Sequence, residues 1–148
     1  MKTYLDSSAL VKVYVTEEFS VATRREVQSV GQLPLTGLHV LEITNAFHVL
    51  AGRRLLSPEE LRGLLDHFED DRQSRRLAGV ALDWPKVFHE AVQLARTHSR
   101  LLLCRSLDIL HVAAAVELGC TRLVSADDRQ LSLARAAGLG AVDIKKTR

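Results

Sequence analysis

Short stretches of strand character alternate with longer stretches of helical periodicity along almost all of the 148 residues, and this alternation restricts the fold most. Residues 2–5 read as a strand, followed by helices over 8–15 and 19–30. A second short strand is expected over 34–36, and apolar residues then recur with helical spacing from Val40 to Leu50, stopping at Gly52. Ser57-Pro58-Glu59-Glu60 combines a serine cap, a proline at the first helical position and a glutamate three residues after the cap, so a helix should run from there to about 72–76. A third strand is expected over 77–82, and Asp83-Trp84-Pro85 opens a helix reaching about His98. A helix from Ser106 ends at Gly119, a strand covers 121–125, a helix over 127–137 closes at Gly138, and a last strand covers 140–144. Strands separated by helices at this spacing predict an α/β fold, a parallel sheet with helices on both faces.

A chain of this length is expected to form one domain over residues 1–148 with a single core. Its hydrophobic share of 47% and charged share of 26% are those of an ordinary globular protein. No apolar run approaches the roughly 18 residues needed to span a bilayer, and the first residues lack a signal-peptide core, so no membrane association and a cytoplasmic location are expected. Cys104 and Cys120 are too few and too far apart for a disulfide framework or a CxxC metal site, and are expected as reduced, mostly buried thiols. Fifteen arginines against five lysines matter more than the net charge of +2, because guanidinium is the better bidentate partner for phosphate.

Four acids occupy places that ordinary surface charges do not. In sheets of the expected type the ligand site lies beyond the carboxyl ends of the strands, where Asp6 ends the first strand and Asp127 follows 121–125. Glu42 stands among apolar neighbours near the start of the third helix, and Asp108 in the first turn of a helix that is otherwise nearly all apolar. Singly, Asp108 and Asp127 can be first-turn helix acids, Asp127 with Gln130 a capping pair, and Glu42 a surface residue. Together they would repel one another unless a hard cation sat between them. Oxygen-only ligands favour Mg²⁺ or Mn²⁺, and such an ion beside phosphate oxygens suits phosphodiester hydrolysis. No GxxxxGK[ST] loop, HExxH pair or GxSxG elbow is present.

Read in order, the segments 4–10, 41–46, 106–115 and 123–130, the last leading to 136–139, resemble the PIN-domain ribonucleases of the VapC toxin type, over nearly the whole chain. The resemblance implies a single three-layer α/β/α PIN-like domain with a short, mostly parallel sheet. It implies a divalent-metal-dependent endoribonuclease, the toxin of a toxin–antitoxin pair, with Asp6, Glu42, Asp108 and Asp127 as catalytic metal ligands. Ser8 would orient the carboxylates, and Ser125 stands where the family often has threonine. Asp128 is a further acid whose role stays open, and His111, one turn after Asp108, is read as a core residue rather than a ligand. Also implied are an RNA substrate, a cognate antitoxin protein and a homodimer. Setting aside the four site acids leaves fourteen acidic against twenty basic residues, which suits an RNA partner. Phe19, Phe47, Phe68 and Phe88 are expected to pack rather than to stack on bases.

Two alternatives remain open at this stage. A haloacid-dehalogenase-type phosphatase also places an aspartate after its first strand, but Ser8 stands where that class has a second aspartate. A non-catalytic PIN-like module that binds RNA or protein would have no use for a full set of mutually repelling acids.

Overall fold

A computed structural model describes residues 2–147, which form two compact units: residues 2–6 with 81–147, and residues 7–80. Both are mixed α/β. The first contains β1 (Thr3–Leu5), α5 (Trp84–Leu102), α6 (Ser106–Glu117), β4 (Arg122–Ser125), α7 (Asp128–Ala136) and β5 (Gly140–Asp143). The second contains α1 (Ser7–Tyr14), α2 (Ser20–Gln28), β2 (Leu33–Leu35), α3 (Gly37–Gly52), α4 (Pro58–Gln73) and β3 (Leu77–Gly79). No helix among the described residues is long and apolar enough to cross a membrane.

The single sheet expected from the sequence is a pair of sheets. In the first unit the strand order is β1-β4-β5, with Tyr4 opposite Leu123 and Leu123 opposite Ala141; in the second, β2 pairs with β3, Pro34 opposite Ala78. Every pairing is parallel, as the alternation with helices demands. The strands are only three or four residues long, and a reading by hydrophobic pattern does not say which short runs pair. Tyr4, Val112, Leu123, Val124 and Leu131 lie at the core of the first unit, and Leu10, Ile43, Phe47 and Phe68 at that of the second.

Helix boundaries follow local chemistry. Ser57 and Glu60 form the expected capping box, each accepting the other's backbone N–H, and the Asp83 side chain accepts from Lys86 N. Helix α3 begins at Gly37, earlier than the apolar pattern indicates, because Thr36 and buried His39 form a box of the same kind, with the imidazole in the glutamate's place. Gly119 and Gly138 end α6 and α7 with φ of 66° and 86°, conformations glycine adopts without cost. Helix α5 runs past His98 to Leu102 and stops on Leu103, a leucine at φ 55° that no sequence signal announces. Phe47 and Phe68 are buried as expected, whereas Phe88 is 54% exposed, on the outward side of α5.

Candidate functional site

In the first unit the parallel pairing of β1 with β4 brings two strand ends side by side, so the residues that follow them meet. Asp6 N donates to Val124 O, which aligns the end of β1 with β4. The Asp6 side chain is then nearly fully buried, and Ser125 Oγ donates to its Oδ2 at 2.7 Å. Ser125 Oγ also accepts from Asp127 N at 2.9 Å. One buried hydroxyl therefore fixes the carboxylate after β1 and the turn after β4 at once.

Asp127 caps α7: its Oδ1 accepts from Arg129 N and Gln130 N, both at 2.9 Å. The capping pair expected with Gln130 is half made. Gln130 supplies its backbone N–H, but its fully buried side chain turns away to donate from Nε2 to Asp108 O at 3.2 Å, tying the start of α7 to the first turn of α6. With one oxygen of Asp127 taken by the cap, the other lies 3.9 Å from Arg105 Nη2. Arg105 Nε donates at 2.9 Å to Asp108 Oδ2, so one guanidinium joins the two carboxylates. Both acids sit at helix N-termini, where the macrodipole favours negative charge. Their field reaches the half-buried Cys104, whose thiol is pushed above its ordinary value first by burial, then by Asp108 and Asp127. Burial pushes the Cys120 thiol up too.

Asp6, Asp108, Asp127 and Ser125 are thus joined through hydrogen bonds and one shared cation. Asp128 stands outside them: exposed, it pairs with Lys145 at 2.7 Å, and that bond and charge hold its carboxyl below the usual range. His111 is buried, with Nδ1 2.8 Å from Tyr4 Oη, the packing role expected of it. Glu42, half-buried on the second turn of α3, and the exposed Ser8, in the first turn of α1, belong to the second unit. Arg105 and Gln130 carry little sequence signal as site residues: Arg105 is one of fifteen arginines, and Gln130 stands three residues after a capping aspartate. The ligand atoms that Asp6, Asp108 and Asp127 themselves offer are carboxylate oxygens, which suit a hard divalent ion better than zinc. No group of three or more His, Cys, Asp or Glu is already gathered for a metal among the described residues.

Acids after two adjacent parallel strands, held by a strand-end serine, on this α/β framework define the class: residues 3–138 match the family model described as PIN domain, and the chain belongs to that family. Among curated proteins it is similar to Ribonuclease VapC46 of Mycobacterium tuberculosis, with 33% identity over 94% of this chain and 95% of the relative. It is also similar to Ribonuclease VapC3 of Pyrobaculum aerophilum, with 29% identity over 89% of this chain and 93% of the relative. Among solved structures it superimposes on FitAcB from Neisseria gonorrhoeae with a TM-score of 0.67 at 14% identity, covering 97% of this chain and 99% of that one. VapBC2 from Rickettsia felis, solved bound to a DNA fragment from its promoter, gives 0.64 at 15% identity, covering 97% and 98%. At such identities the two structures speak for the fold. Family membership leaves the phosphatase alternative without support.

Proposed function

We propose that the chain is an endoribonuclease of the VapC type, the toxin of a toxin–antitoxin pair, which hydrolyses RNA phosphodiesters with the help of Mg²⁺ or Mn²⁺. The observation that carries this reading is the Ser125 hydroxyl, which holds Asp6 and the Asp127 turn together where two parallel strands end. Burying a carboxylate beside other acids costs free energy, and a protein that only bound RNA would gain nothing from it.

The ligands of the ion in this reading are Asp6, Asp108 and Asp127, with Glu42 assigned through the resemblance to the family. When bound, the ion lowers the pKa of a water and neutralises charge on the leaving oxygen. The chain's own residues do the positioning. Ser125 fixes the Asp6 carboxylate, Gln130 fixes the first turn of α6 against α7, and the α7 cap leaves Asp127 a single outward oxygen. Arg105 offsets the repulsion between Asp108 and Asp127. The excess of arginine elsewhere suits the phosphate backbone of RNA. A cognate antitoxin and a second copy of the chain complete the proposed assembly.

The test is a pool of structured RNAs incubated with antitoxin-free protein in Mg²⁺, Mn²⁺ or EDTA, beside Asp6→Asn, with the fragment ends sequenced. Metal-dependent cuts leaving 5′-phosphates, absent in Asp6→Asn, are expected. Ends carrying 2′,3′-cyclic phosphate would overturn the mechanism, because they require the RNA 2′-hydroxyl as nucleophile.

A further inference from the structure

The second unit contains a cleft of about 330 Å³ that the proposed reaction does not use, lined by Tyr14 of α1, Arg24 and Gln28 of α2, His67 and Asp71 of α4, and Arg76. Its one carboxylate is already engaged. Asp71 is buried, accepts a 2.6 Å hydrogen bond from Tyr14 Oη, and has His67 Nε2 at 3.9 Å from the same oxygen.

The two guanidiniums are not engaged in that way. Arg24 is held in place, its Nε donating to Val13 O at 3.1 Å and its Nη2 to Thr16 Oγ1 at 3.2 Å. Those bonds use two of its five N–H groups and orient the remainder without neutralising the charge. The Arg76 guanidinium makes no hydrogen bond or ion pair among the described residues, although its charge is felt at Tyr14. Two permanent cations against one carboxylate leave the cleft positive, with open N–H groups on two separate forks. A carboxylate ligand would satisfy one fork. A phosphate presents oxygens in several directions and carries up to two negative charges, so it can meet both. The volume lies at the small end of the range for ligand sites, where a phosphate with little attached to it fits.

We propose that this cleft is a phosphate-binding site held by Arg24 and Arg76. The phosphate could belong to a free nucleotide or to a nucleic-acid chain, and both sources share the chemistry that the two arginines recognise. The inference does not depend on the nuclease reading.

The experiment follows the arginine side-chain N–H resonances of the full-length protein by NMR while inorganic phosphate replaces chloride at constant ionic strength. Saturable shifts of the Arg24 and Arg76 signals are expected. Arg76→Gln, an exposed change that leaves the fold intact, should weaken binding by at least about tenfold, the loss of a charge-assisted contact. Asp108→Asn should leave the phosphate affinity unchanged. Two further probes separate the sources: a nucleoside 5′-monophosphate that binds tighter than phosphate indicates a terminal phosphate, and a dinucleoside monophosphate that does so indicates an internal one. Shifts that do not saturate, or an affinity unchanged in Arg76→Gln, would overturn the proposal.

Discussion

Asp6 in the first unit and Asp71 in the second are the buried aspartates among the described residues, and their surroundings are opposite in kind. Asp6 has an acid-rich neighbourhood: its partner Ser125 also accepts from Asp127 N, and Asp127 shares Arg105 with Asp108. Asp71 sits among rings. Tyr14, its hydrogen-bond donor, lies edge-on to Phe47, His67 and Phe68 at centroid distances of 6.0, 5.1 and 5.7 Å. A single carboxylate with a neutral donor and no second acid beside it in its cleft can stabilise a fold. Several carboxylates brought together cost stability, and their retention points to chemistry performed there.

The largest effect should come from breaking the acid-rich region. Asp6→Asn and Asp108→Asn should each lower RNA cleavage by more than about 100-fold, the upper end of what a supporting residue costs, while the melting temperature stays level or rises as repulsion is relieved. A collapse in melting temperature would place Asp6 with Asp71 as a structural acid. Ser125→Ala should cost less, about 10–100-fold in cleavage, because it loosens a carboxylate without removing it.

The aromatic region should respond in the reverse sense. Tyr14→Phe leaves Asp71 without its donor and should destabilise the protein by about 1–3 kcal/mol in urea melts, with cleavage by the folded protein unchanged. Burial, then the Asp71 hydrogen bond and charge, raises the Tyr14 phenol above its usual value. Its contribution to stability is therefore complete below the unfolded value of about 10. As pH rises past that point the unfolded chain sheds a proton that the native state keeps, so stability should fall with the slope of one proton. Tyr14→Phe should remove that slope, which urea melts between pH 9 and 11 would measure. A slope identical in both proteins would mean that Tyr14 titrates normally and that Asp71 is not its partner.

The same contrast decides what could be read from the sequence. Asp6 was legible because a carboxylate directly after an apolar strand, followed by two serines and a helix, has no cheap structural explanation. Asp71 was not, because in Glu69-Asp70-Asp71-Arg72 it looks like one charge on a solvated helix face, and only packing against Tyr14 distinguishes it. The helix starts at Ser57 and Asp83 were legible because caps are local chemistry, whereas the split into two sheets depends on which distant strands pair. Ser125 was legible by position, but its double role was not, because it depends on β1 and β4 lying in register. Arg105 has the same difficulty: its partners are three and twenty-two residues away, and only the near one follows from helical spacing.

The smallest predicted effect probes the acid-rich region without using RNA. Cys104 reacts with alkylating reagents only as thiolate, and burial together with the fields of Asp108 and Asp127 keeps its thiol protonated above the ordinary range. Its alkylation at pH 8 should therefore be slower than that of an unfolded cysteine. Asp108→Asn removes one of the two negative charges, lowers the thiol's pKa, and should speed the reaction a few-fold; Arg129→Gln, which removes a cation that favours the thiolate, should slow it. Mass-spectrometric peptide mapping separates Cys104 from the buried Cys120. A rate that ignores Asp108→Asn would mean that this carboxylate's charge does not reach Cys104. Arg105 would then neutralise Asp108 more completely than an exposed guanidinium in water normally does.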